Sequence, residues 1–518
     1  MFRRHQFLIA ALLCSTVIAA RPTRLRAQAQ TNITSLYVGY SSRKVTANPT
    51  GELKARIDSV DRDLQVASRL GQSGQVRRLL AKGTTLLAGR PWSDTTDYAT
   101  SLLLRTDHSL TDPSSPWLVR LEQMYSPALA LTRALRARAT LTARTAGAAG
   151  GAAPTVVKTL GSFDGVSRDL RESPFVMEFD LRDVADGRYV LAVDVLDSTR
   201  TLGTATLNVV VRKGLDDAMR TLEREAEKAP PVLRAELLFP VDRTRKINRG
   251  ELEVRTWDAA RDFAAADSVR MAVAKKRDPF AGRTGDMKRH YVLDSAREVM
   301  PYRLYVPKSY AASKPMPVIV ALHGLGATED SFFDAYGRRL PQLAEQHGYI
   351  LLAPLGYRVD GGYGWGVAVA PTDPVTRRSA GLSERDVLES LAQVRALYNV
   401  DPDRIYLMGH SLGAIGAWKM AAKFPTMWAA IGAFSGQGAP TTMPLMKHIP
   451  AFVVHGDNDP TVSVRGSRTM VDAMKANGVD HRYIEVPGGN HSNVVEPHLA
   501  GMVEFFGTRK RDRTGGNE

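Results

Sequence analysis

The C-terminal part of the sequence alternates apolar runs with helical stretches, and this rhythm constrains the fold more than any other feature. From about residue 285 the runs are nearly continuous in apolar residues, as in "PVIVALHG", "GYILLAPLG", "RIYLMGHS" and "IPAFVVHGD". Strands that are buried on both faces have this composition. The sequence therefore predicts an α/β domain over residues 285–508, with a mostly parallel sheet sandwiched by helices. In such sheets the chemistry lies beyond the carboxyl ends of the strands.

The first 284 residues have a different organisation. Residues 30–145 place apolar residues three and four apart, and we predict a mostly helical region that includes a helix at residues 126–141. A small-residue stretch at 146–155 is typical of a linker. Strand-like runs between turn formers predict a small β-sandwich-like module over residues 155–212, in which "FDLRDVADGRYVLAVDV" resembles the hairpins of bacterial immunoglobulin-like modules. Helical patterns return over residues 213–284, which we interpret as a connecting region.

The N-terminus has the pattern of a secretory signal peptide. A basic start is followed by the apolar run "FLIAALLCSTVIAA" and by the small-residue exit Ala27, Gln28 and Ala29. The run is shorter than the roughly 20 residues that span a membrane, so no stable span is expected after cleavage, an uncleaved anchor being the alternative. The chain is therefore predicted to be a bacterial protein that loses residues 1–29 on export to the periplasm or beyond.

Composition narrows the chemistry of the mature chain. The single cysteine, Cys14, lies inside the predicted signal peptide, so no disulfide, cysteine nucleophile or thiolate metal ligand is expected. Loss of the five arginines within residues 1–29 lowers the formal charge from +15 to +10. The remaining basic residues are dispersed, apart from a tail at 509–518 that we predict to be flexible, and this pattern does not indicate nucleic-acid binding. Motifs for metals and phosphate loops are absent from the sequence, so no cofactor is predicted.

A serine stands between glycines where an apolar strand passes into a helix. "RIYLMGH" has the composition of a buried strand and "LGAIGAWKMAAKFP" that of a helix, so Ser411 occupies the turn between them. This is the context in which a G-x-S-x-G pattern holds a nucleophile. Gly409 and Gly413 leave the space that a sharp turn needs, and the helix N-terminus favours developing negative charge. We predict that Ser411 is a catalytic nucleophile.

A nucleophilic serine needs a base, and the base needs an orienting acid. The loop "HGDNDPTV" follows another strand and carries Asp457 and Asp459. Of the histidines further on, His481 starts its strand and His498 lies in the final helix, whereas His491 follows a strand's carboxyl end and is the predicted base. The order Ser–Asp–His is that of an α/β-hydrolase. Position alone leaves the two aspartates equal.

The C-terminal region resembles the α/β-hydrolase superfamily, in particular secreted esterases similar to the polyhydroxybutyrate depolymerase and feruloyl esterase group. The matching motifs are "YRLYVPKSY", "ALHGLGATEDSFF", "YNVDPDRIYLMGHSLGA", "HGDNDPTV" and "GGNH". The resemblance implies that Asp459 is the acid of the triad and that Asp457 is a turn residue.

An oxyanion hole needs two backbone donors. One is the N–H of Leu412, the residue after the serine. The second is expected in the loop "HGLGAT", which follows the strand "PVIVAL", and the resemblance implies that it is the N–H of Leu325. We interpret His323, His410 and His455 as buried structural histidines.

A loop at residues 354–366 is rich in glycine and aromatic residues and follows another strand. Tyr357, Tyr363 and Trp365 are therefore candidates to border the substrate pocket and to stack on an aromatic or polymeric substrate. The alternative is that these rings pack a surface loop. Further on, a helix is predicted over residues 383–399, opening with a capping-box-like serine and aspartate.

These features together predict an exported serine hydrolase that cleaves carboxylic esters in small-molecule or polymeric substrates through an acyl-enzyme. A peptidase similar to the prolyl oligopeptidase group is the alternative enzyme, although no propeller repeat precedes the domain, and acyl transfer to another acceptor uses the same triad. A non-catalytic binding protein is a further alternative, against which a complete triad argues. Fold does not determine substrate, so the acyl and alcohol groups stay open.

Overall fold

The computed structural model describes residues 33–143, 155–198, 200–254, 257–365 and 374–511. The predicted signal peptide and most of the predicted linker lie outside these residues. Within them, no helix combines the length and the apolar character that crossing a bilayer requires. Because the predicted signal peptide is not among the described residues, export stays a prediction.

Four helices open the described chain. They are α1 (Ile33–Ala47), α2 (Gly51–Arg69), α3 (Ser73–Leu87) and α4 (Asp94–Ser101). Ile57, Val60, Leu64 and Ala67 are buried in α2, three or four residues apart, and pack with α3 around a small apolar core. The helical spacing in the sequence is thus the spacing of a buried face.

The next eight strands form two sheets that share one apolar core. The sheet β1-β3-β6 is antiparallel, and in the sheet β2-β8-β7-β4-β5 the β2–β8 pair is parallel and the other pairs are antiparallel. Trp117 and Phe179 from the first sheet meet Val193 from the second in the core. The strands are β1 (Leu102–Thr106), β2 (Leu110–Thr111), β3 (Trp117–Gln123), β4 (Leu135–Ala143), β5 (Val156–Val166), β6 (Phe175–Phe179), β7 (Gly187–Asp197) and β8 (Arg200–Val211).

The helix predicted at residues 126–141 is wrong. Strand β4 begins at Leu135 and pairs with β5 and β7, and three further strands precede it. Leucine, alanine and arginine favour helices intrinsically. Along β4, however, buried apolar residues alternate with exposed arginines, and this period of two together with cross-strand pairing determines the structure. The β module therefore includes residues 102–143 as well as 155–211.

Three helices connect the β module to the C-terminal sheet. They are α5 (Leu215–Lys228), α6 (Pro231–Asn248) and α7 (Ala259–Ala274). Pro231 stands in the first turn of α6, where its missing N–H costs no helical hydrogen bond. Leu237, Val241 and Phe263 lie in the apolar core that these helices share.

An eight-stranded sheet forms the centre of the C-terminal region. Its order is β16-β15-β14-β13-β11-β12-β10-β9, in which β9 and β10 are antiparallel to their neighbours and the other six strands are parallel. The predicted α/β class and mostly parallel sheet are confirmed. The strands are β9 (Gly285–Leu293), β10 (Glu298–Val306), β11 (Met316–Leu322), β12 (Ile350–Pro354), β13 (Val400–His410), β14 (Ala430–Phe434), β15 (Ala451–Gly456) and β16 (His481–Val486).

Helices cover both faces of this sheet. Along β11, Val318, Val320 and Leu322 face one apolar core, and Ile319 and Ala321 face another on the opposite side. The continuous apolar runs of the sequence follow from this double burial. Helices α10, α11 and α12 contribute to the first core and α8, α9 and α13 to the second. Their bounds are α8 (Ser331–Asp334), α9 (Arg339–His347), α10 (Pro374–Leu397), α11 (Leu412–Lys423), α12 (Val464–Ala476) and α13 (Leu499–Gly507), with 3₁₀ helices at Tyr336–Arg338, Pro440–Met446 and Glu496–His498.

Helix α6 rests on the antiparallel edge of the sheet. Glu236 of α6 is buried, and its carboxylate accepts a hydrogen bond from Nε of Arg289 at 2.6 Å and lies 2.6 Å from Nδ1 of His290. Burial raises the pKa of Glu236, but the two neighbouring groups outweigh it and hold this pKa below its ordinary value. The ring of Phe239 stacks on His290 with 4.0 Å between centroids. The connecting region is thereby attached to β9.

Residues 509–511 are held against the domain, so the prediction of a flexible tail is wrong for these three residues. The N–H of Arg511 donates to the carbonyl of Asp403 at 2.8 Å, and its guanidinium lies 2.9 Å from the Asp403 carboxylate. Arg509 pairs with Asp480 at 2.9 Å. These contacts hold residues 509–511 against the domain, and residues 512–518 lie outside the described part.

Glu236→Ala tests the attachment of α6. It leaves the buried Arg289 without its carboxylate, so we expect the free energy of unfolding to fall by about 3–5 kcal/mol. Urea unfolding of the full chain, followed by circular dichroism, measures the change. The matched control is Glu225→Ala, which removes an exposed pair with Lys228 on α5 and should cost less than about 1 kcal/mol. Equal losses in the two variants would contradict the packing described here.

Candidate active site

Ser411 lies in a strained turn between β13 and α11. Its φ and ψ are 56° and −118°, and its N–H donates to the carbonyl of Phe434 on the next strand at 2.9 Å. A Cβ on Gly413 would lie 1.9 Å from the carbonyl oxygen of Leu322, and one on Gly409 would lie 2.1 Å from the carbonyl carbon of Gly413. Only glycine fits such close backbone approaches. This is the sharp strand-to-helix turn that the sequence predicted.

Asp459 and His491 meet at the same edge of the sheet. Oδ2 of Asp459 lies 2.7 Å from Nδ1 of His491, and Oδ1 accepts the N–H groups of Thr461 at 2.7 Å and Val462 at 3.0 Å. Burial raises the pKa of Asp459, but the amide of Val462, His491 and the amide of Thr461 outweigh it, so this pKa lies below its ordinary value. The carboxylate is therefore ionised at neutral pH and accepts the Nδ1–H of the imidazole.

The other candidates for acid and base lie elsewhere. Oδ1 of Asp457 accepts the N–H of Gly488 at 2.7 Å and closes a turn. Nδ1 of His481 lies 2.8 Å from the carbonyl of Val479, and Nδ1 of His498 lies 2.9 Å from a carbonyl one helical turn before it. The structure thus pairs Asp459 with His491, whereas Asp457, His481 and His498 contact other groups.

His410 joins the serine turn to the histidine loop. Its Nε2 lies 2.8 Å from the carbonyl oxygen of His491, so Nε2 carries the proton and donates. Nδ1 then accepts from the hydroxyl of Tyr336 at 2.9 Å. Burial lowers the pKa of His410 to about 4, so the ring is neutral. The residue before Ser411 therefore holds the backbone of His491 in place.

A second histidine contacts the Asp459 carboxylate. Nε2 of His455 lies 3.2 Å from Oδ2 of Asp459 and 2.9 Å from the carbonyl of Val462, and Nδ1 lies 2.7 Å from Oγ of Ser467. Both groups facing Nε2 are acceptors, so Nε2 carries the proton. The sequence suggested burial for His455 but not this contact. In the described ranges, no three His, Cys, Asp or Glu side chains are grouped to hold a metal ion.

The loop after β11 lies against the serine. A Cβ on Gly324 would be 3.4 Å from Cβ of Ser411. The side chain of Leu325 is 49% exposed, whereas His323 is buried with its ring nitrogens 2.8 Å and 2.7 Å from two carbonyl oxygens. Leu412 is the first residue of α11, where helix geometry leaves an amide without an intrahelical acceptor. Leu412 thus follows Ser411 in the chain, and Leu325 follows Gly324, which lies against Ser411; the role of both amides as oxyanion donors stays a prediction.

The prediction that Tyr363 stacks on substrate is wrong. Its ring is 1% exposed and its hydroxyl donates to the carbonyl of His323 at 3.0 Å. Gly356 and Gly416 provide the room, since a Cβ on either would lie 2.6 Å from the ring. Tyr363 therefore holds the loop after β11 from the buried side. One face of the Tyr357 ring is covered by a guanidinium 3.9 Å from its centroid, and its contact with substrate stays a prediction.

Trp365 lies away from the serine. Nζ of Lys423 is 4.8 Å from its ring centroid, and a Cβ on Gly381 would be 3.1 Å from the ring. Lys423 is the last residue of α11, whereas Ser411 precedes the first, and a 12-residue helix is about 18 Å long. The prediction that Trp365 borders the pocket beside Ser411 is therefore wrong, because the loop carries it to the far end of α11.

Two buried side chains of α10 hold the glycine-rich loop. Oδ2 of Asp386 accepts the N–H of Tyr357 at 2.7 Å, Oδ1 accepts the hydroxyl of Tyr291, and Oγ of Ser383 accepts the N–H of Tyr363 at 3.0 Å. Because α10 begins at Pro374, this serine and aspartate lie inside the helix and do not cap it. Burial raises the pKa of Asp386 to about 7, since its hydrogen-bond donors offset only part of the desolvation.

Asp386 should make stability depend on pH. Its folded pKa of about 7 exceeds an unfolded value near 4, so the folded state binds the extra proton between these values. The contribution of Asp386 to stability is then most favourable below about pH 4 and falls as the pH rises to 7, by at most about 1.4 kcal/mol per pH unit. Asp386→Asn should remove this slope in urea unfolding measured from pH 4 to 8. Parallel profiles for the wild-type chain and the variant would show that Asp386 is ionised throughout.

Comparison with known proteins assigns the C-terminal region. Residues 295–506 match the family model described as putative esterase. Feruloyl esterase B from Neurospora crassa is 38% identical over 133 residues, which are 26% of this chain and 42% of that protein. S-formylglutathione hydrolase from Rattus norvegicus is 32% identical over 148 residues, covering 26% of this chain and 51% of that protein. The chain thus spans about half the length, or less, of these relatives.

Among solved structures, an S-formylglutathione hydrolase from Agrobacterium tumefaciens gives a TM-score of 0.37 at 17% identity, covering 44% of this chain and 96% of that one. The predicted similarity to feruloyl esterases is confirmed by the sequence relatives, and that to polyhydroxybutyrate depolymerases stays a prediction. The match to the family of putative esterases therefore covers residues 295–506, the part of the chain that carries Ser411, Asp459 and His491.

Proposed function

We propose that this chain is a serine esterase whose catalytic unit spans residues 285–508. The observation that carries the proposal is the 2.7 Å contact between the buried Asp459 carboxylate and Nδ1 of His491, at the sheet edge where Ser411 stands in a strained turn. A nucleophile, a base and an orienting acid are the three parts that acyl transfer through serine requires. The match of this region to putative esterases supports the same reading.

In the proposed acylation step, Oγ of Ser411 attacks the acyl carbon of the ester and its proton passes to Nε2 of His491. Asp459 keeps the proton of the imidazole on Nδ1 and stabilises the imidazolium that forms. The N–H groups of Leu325 and Leu412 donate to the oxyanion of the tetrahedral intermediate. The intermediate collapses when the C–O bond to the alcohol breaks and His491 returns the proton to the leaving oxygen.

Deacylation repeats these roles with water. His491 takes a proton from water, which attacks the acyl-serine, and the same amides hold the second oxyanion. The carboxylic acid leaves when His491 protonates Oγ of Ser411. These steps use side chains and backbone amides of this chain.

The proposed substrates are small-molecule or polymeric carboxylic esters. Support comes from the names of the relatives, which include feruloyl and acetylxylan esterases. We also propose that the chain is exported by a bacterium. Support for export comes from the sequence pattern of residues 1–29, which lie outside the described part.

Ser411→Ala should abolish covalent labelling by a fluorophosphonate and lower kcat for a nitrophenyl ester by at least about 10⁴-fold. Ser268→Ala removes an exposed hydroxyl on α7 and is the matched control, for which we expect full labelling and activity. The same assays with a prolyl nitroanilide separate esterase from peptidase. Faster turnover of the anilide, or labelling that survives in Ser411→Ala, would overturn the proposal.

Asp459→Asn and Asp457→Asn distinguish the two aspartates. Asn at 459 presents a neutral group to Nδ1 and disfavours the productive tautomer, so kcat should fall by about 10³–10⁴-fold. At 457 an amide oxygen still accepts the N–H of Gly488, and kcat should stay within about threefold. Steady-state kinetics on the nitrophenyl ester provide the measurement. A larger loss at 457 than at 459 would assign the acid differently.

A further inference from the structure

A buried cluster of three charges joins α6 to the glycine-rich loop. The guanidinium of Arg358 binds both carboxylate oxygens of Glu298 on β10, at 2.9 Å each. Nζ of Lys246 on α6 lies 3.3 Å from Oε2 of the same carboxylate. Glu298 is 3% exposed, so the three charges interact with little screening from solvent. A two-point contact of this kind fixes the direction of the guanidinium as well as its distance.

The cluster leads to the loop that carries Leu325. Arg358 precedes Val359, whose carbonyl oxygen accepts the N–H of Gly326 at 2.8 Å. Gly326 follows Leu325, one of the two residues whose amides we assign to the oxyanion hole. A short path thus runs from Lys246 through Glu298 and Arg358 to the backbone beside Leu325.

The far end of the same loop is also held by a buried ion pair. Glu329 is 4% exposed and its carboxylate lies 2.5 Å from Nζ of Lys288 on β9. Burial raises the pKa of Glu329, but Lys288 and Arg243 of α6 outweigh it and lower this pKa to about 2. In addition, the N–H of Val299, next to Glu298, donates to Oδ2 of Asp242 on α6 at 3.0 Å. Side chains of α6 therefore interact with Glu298 and Glu329, the buried carboxylates that support the two ends of the loop.

We propose that α6 positions the oxyanion loop through the Lys246–Glu298–Arg358 cluster, so that Lys246 and Arg358 are positioning residues of the esterase. This inference rests on the proposed function. An oxyanion donor acts on the transition state, and a displacement of about 1 Å can cost on the order of 100-fold in rate. Helix α6 thereby acts on the oxyanion loop although it lies outside residues 295–506.

Kinetics on the full chain test the proposal, with kcat and KM for a nitrophenyl ester measured well below the unfolding midpoint of each variant. Arg358→Met should lower kcat by about 10–100-fold with KM within about twofold, because the lost contacts serve the transition state. Lys246→Met should lower kcat by about 3–10-fold in the same pattern, and Lys246→Arg should restore most of it. The double variant should lose less than the product of the single losses, since both residues act through Glu298.

Lys228→Met is the matched control, because Lys228 pairs with Glu225 on the exposed face of α5, and its kcat should be unchanged. If Arg358→Met does not fold, Arg358→Lys keeps the charge without the two-point contact and should still lose kcat. Unchanged kcat in the Arg358 and Lys246 variants, losses confined to KM, or multiplicative losses in the double variant would overturn the inference. With Ser411→Ala inactive, any of these results leaves the proposed function standing, whereas an active Ser411→Ala overturns that function itself.

Discussion

The close approach of α11 to β11 is the constraint on which the site geometry depends. The backbone of Gly413 packs against the carbonyl of Leu322, so the helix can begin only where its second residue has no side chain. Ser411, two residues before this contact, has positive φ, and α11 begins at the residue after it. The contact between Gly413 and Leu322 draws the loop after β11 against the serine, because Leu322 is the last residue of that strand. The strained turn at Ser411 thus lies where strand β11 and helix α11 pack most closely.

The neighbouring groups, more than the extent of burial, determine whether the buried acids near the site are ionised. Glu236, Glu329 and Asp386 are all buried, and burial raises the pKa of each. Glu236 and Glu329 face cationic groups and keep a pKa below the ordinary value, whereas Asp386 accepts bonds mainly from a hydroxyl and backbone amides and titrates near neutrality. The pKa of Asp459 is also lowered, and the amides of Val462 and Thr461 act there together with His491. The carboxylate proposed to orient His491 is thus kept ionised in part by amides of its own loop.

Sequence reasoning located the parts of the site that depend on strand ends and spacing. Ser411 and His491 follow buried strands, and parallel strands bring such positions to one edge whatever the loops do. It did not reveal that Tyr363 is buried, because the space for the ring comes from Gly416, more than fifty residues later in the chain. The leucines and alanines of β4 favour a helix, which is why the sequence predicts one there. The pairing of β4 with β5 and β7 overrides this preference, and it involves strands that are distant in the sequence. The contacts of His455 and Arg358 carried no local signal, because their partners are defined only by the fold.

Helix α6 packs on the sheet edge through buried ion pairs, although burying charges costs desolvation energy. An edge formed by the antiparallel strands β9 and β10 lies next to β12, whose loop accepts the N–H of Gly326 in the loop that packs against Ser411. Edge strands lack a partner on one side and open more easily than central ones. An apolar contact between α6 and this edge would resist opening, but it would not fix the direction of the loops beyond it. Buried ion pairs do so because each permits only a narrow range of geometries, and a single displaced partner leaves an uncompensated charge. If these pairs position the loop as proposed, their desolvation cost is the stability that the fold gives up for that geometry.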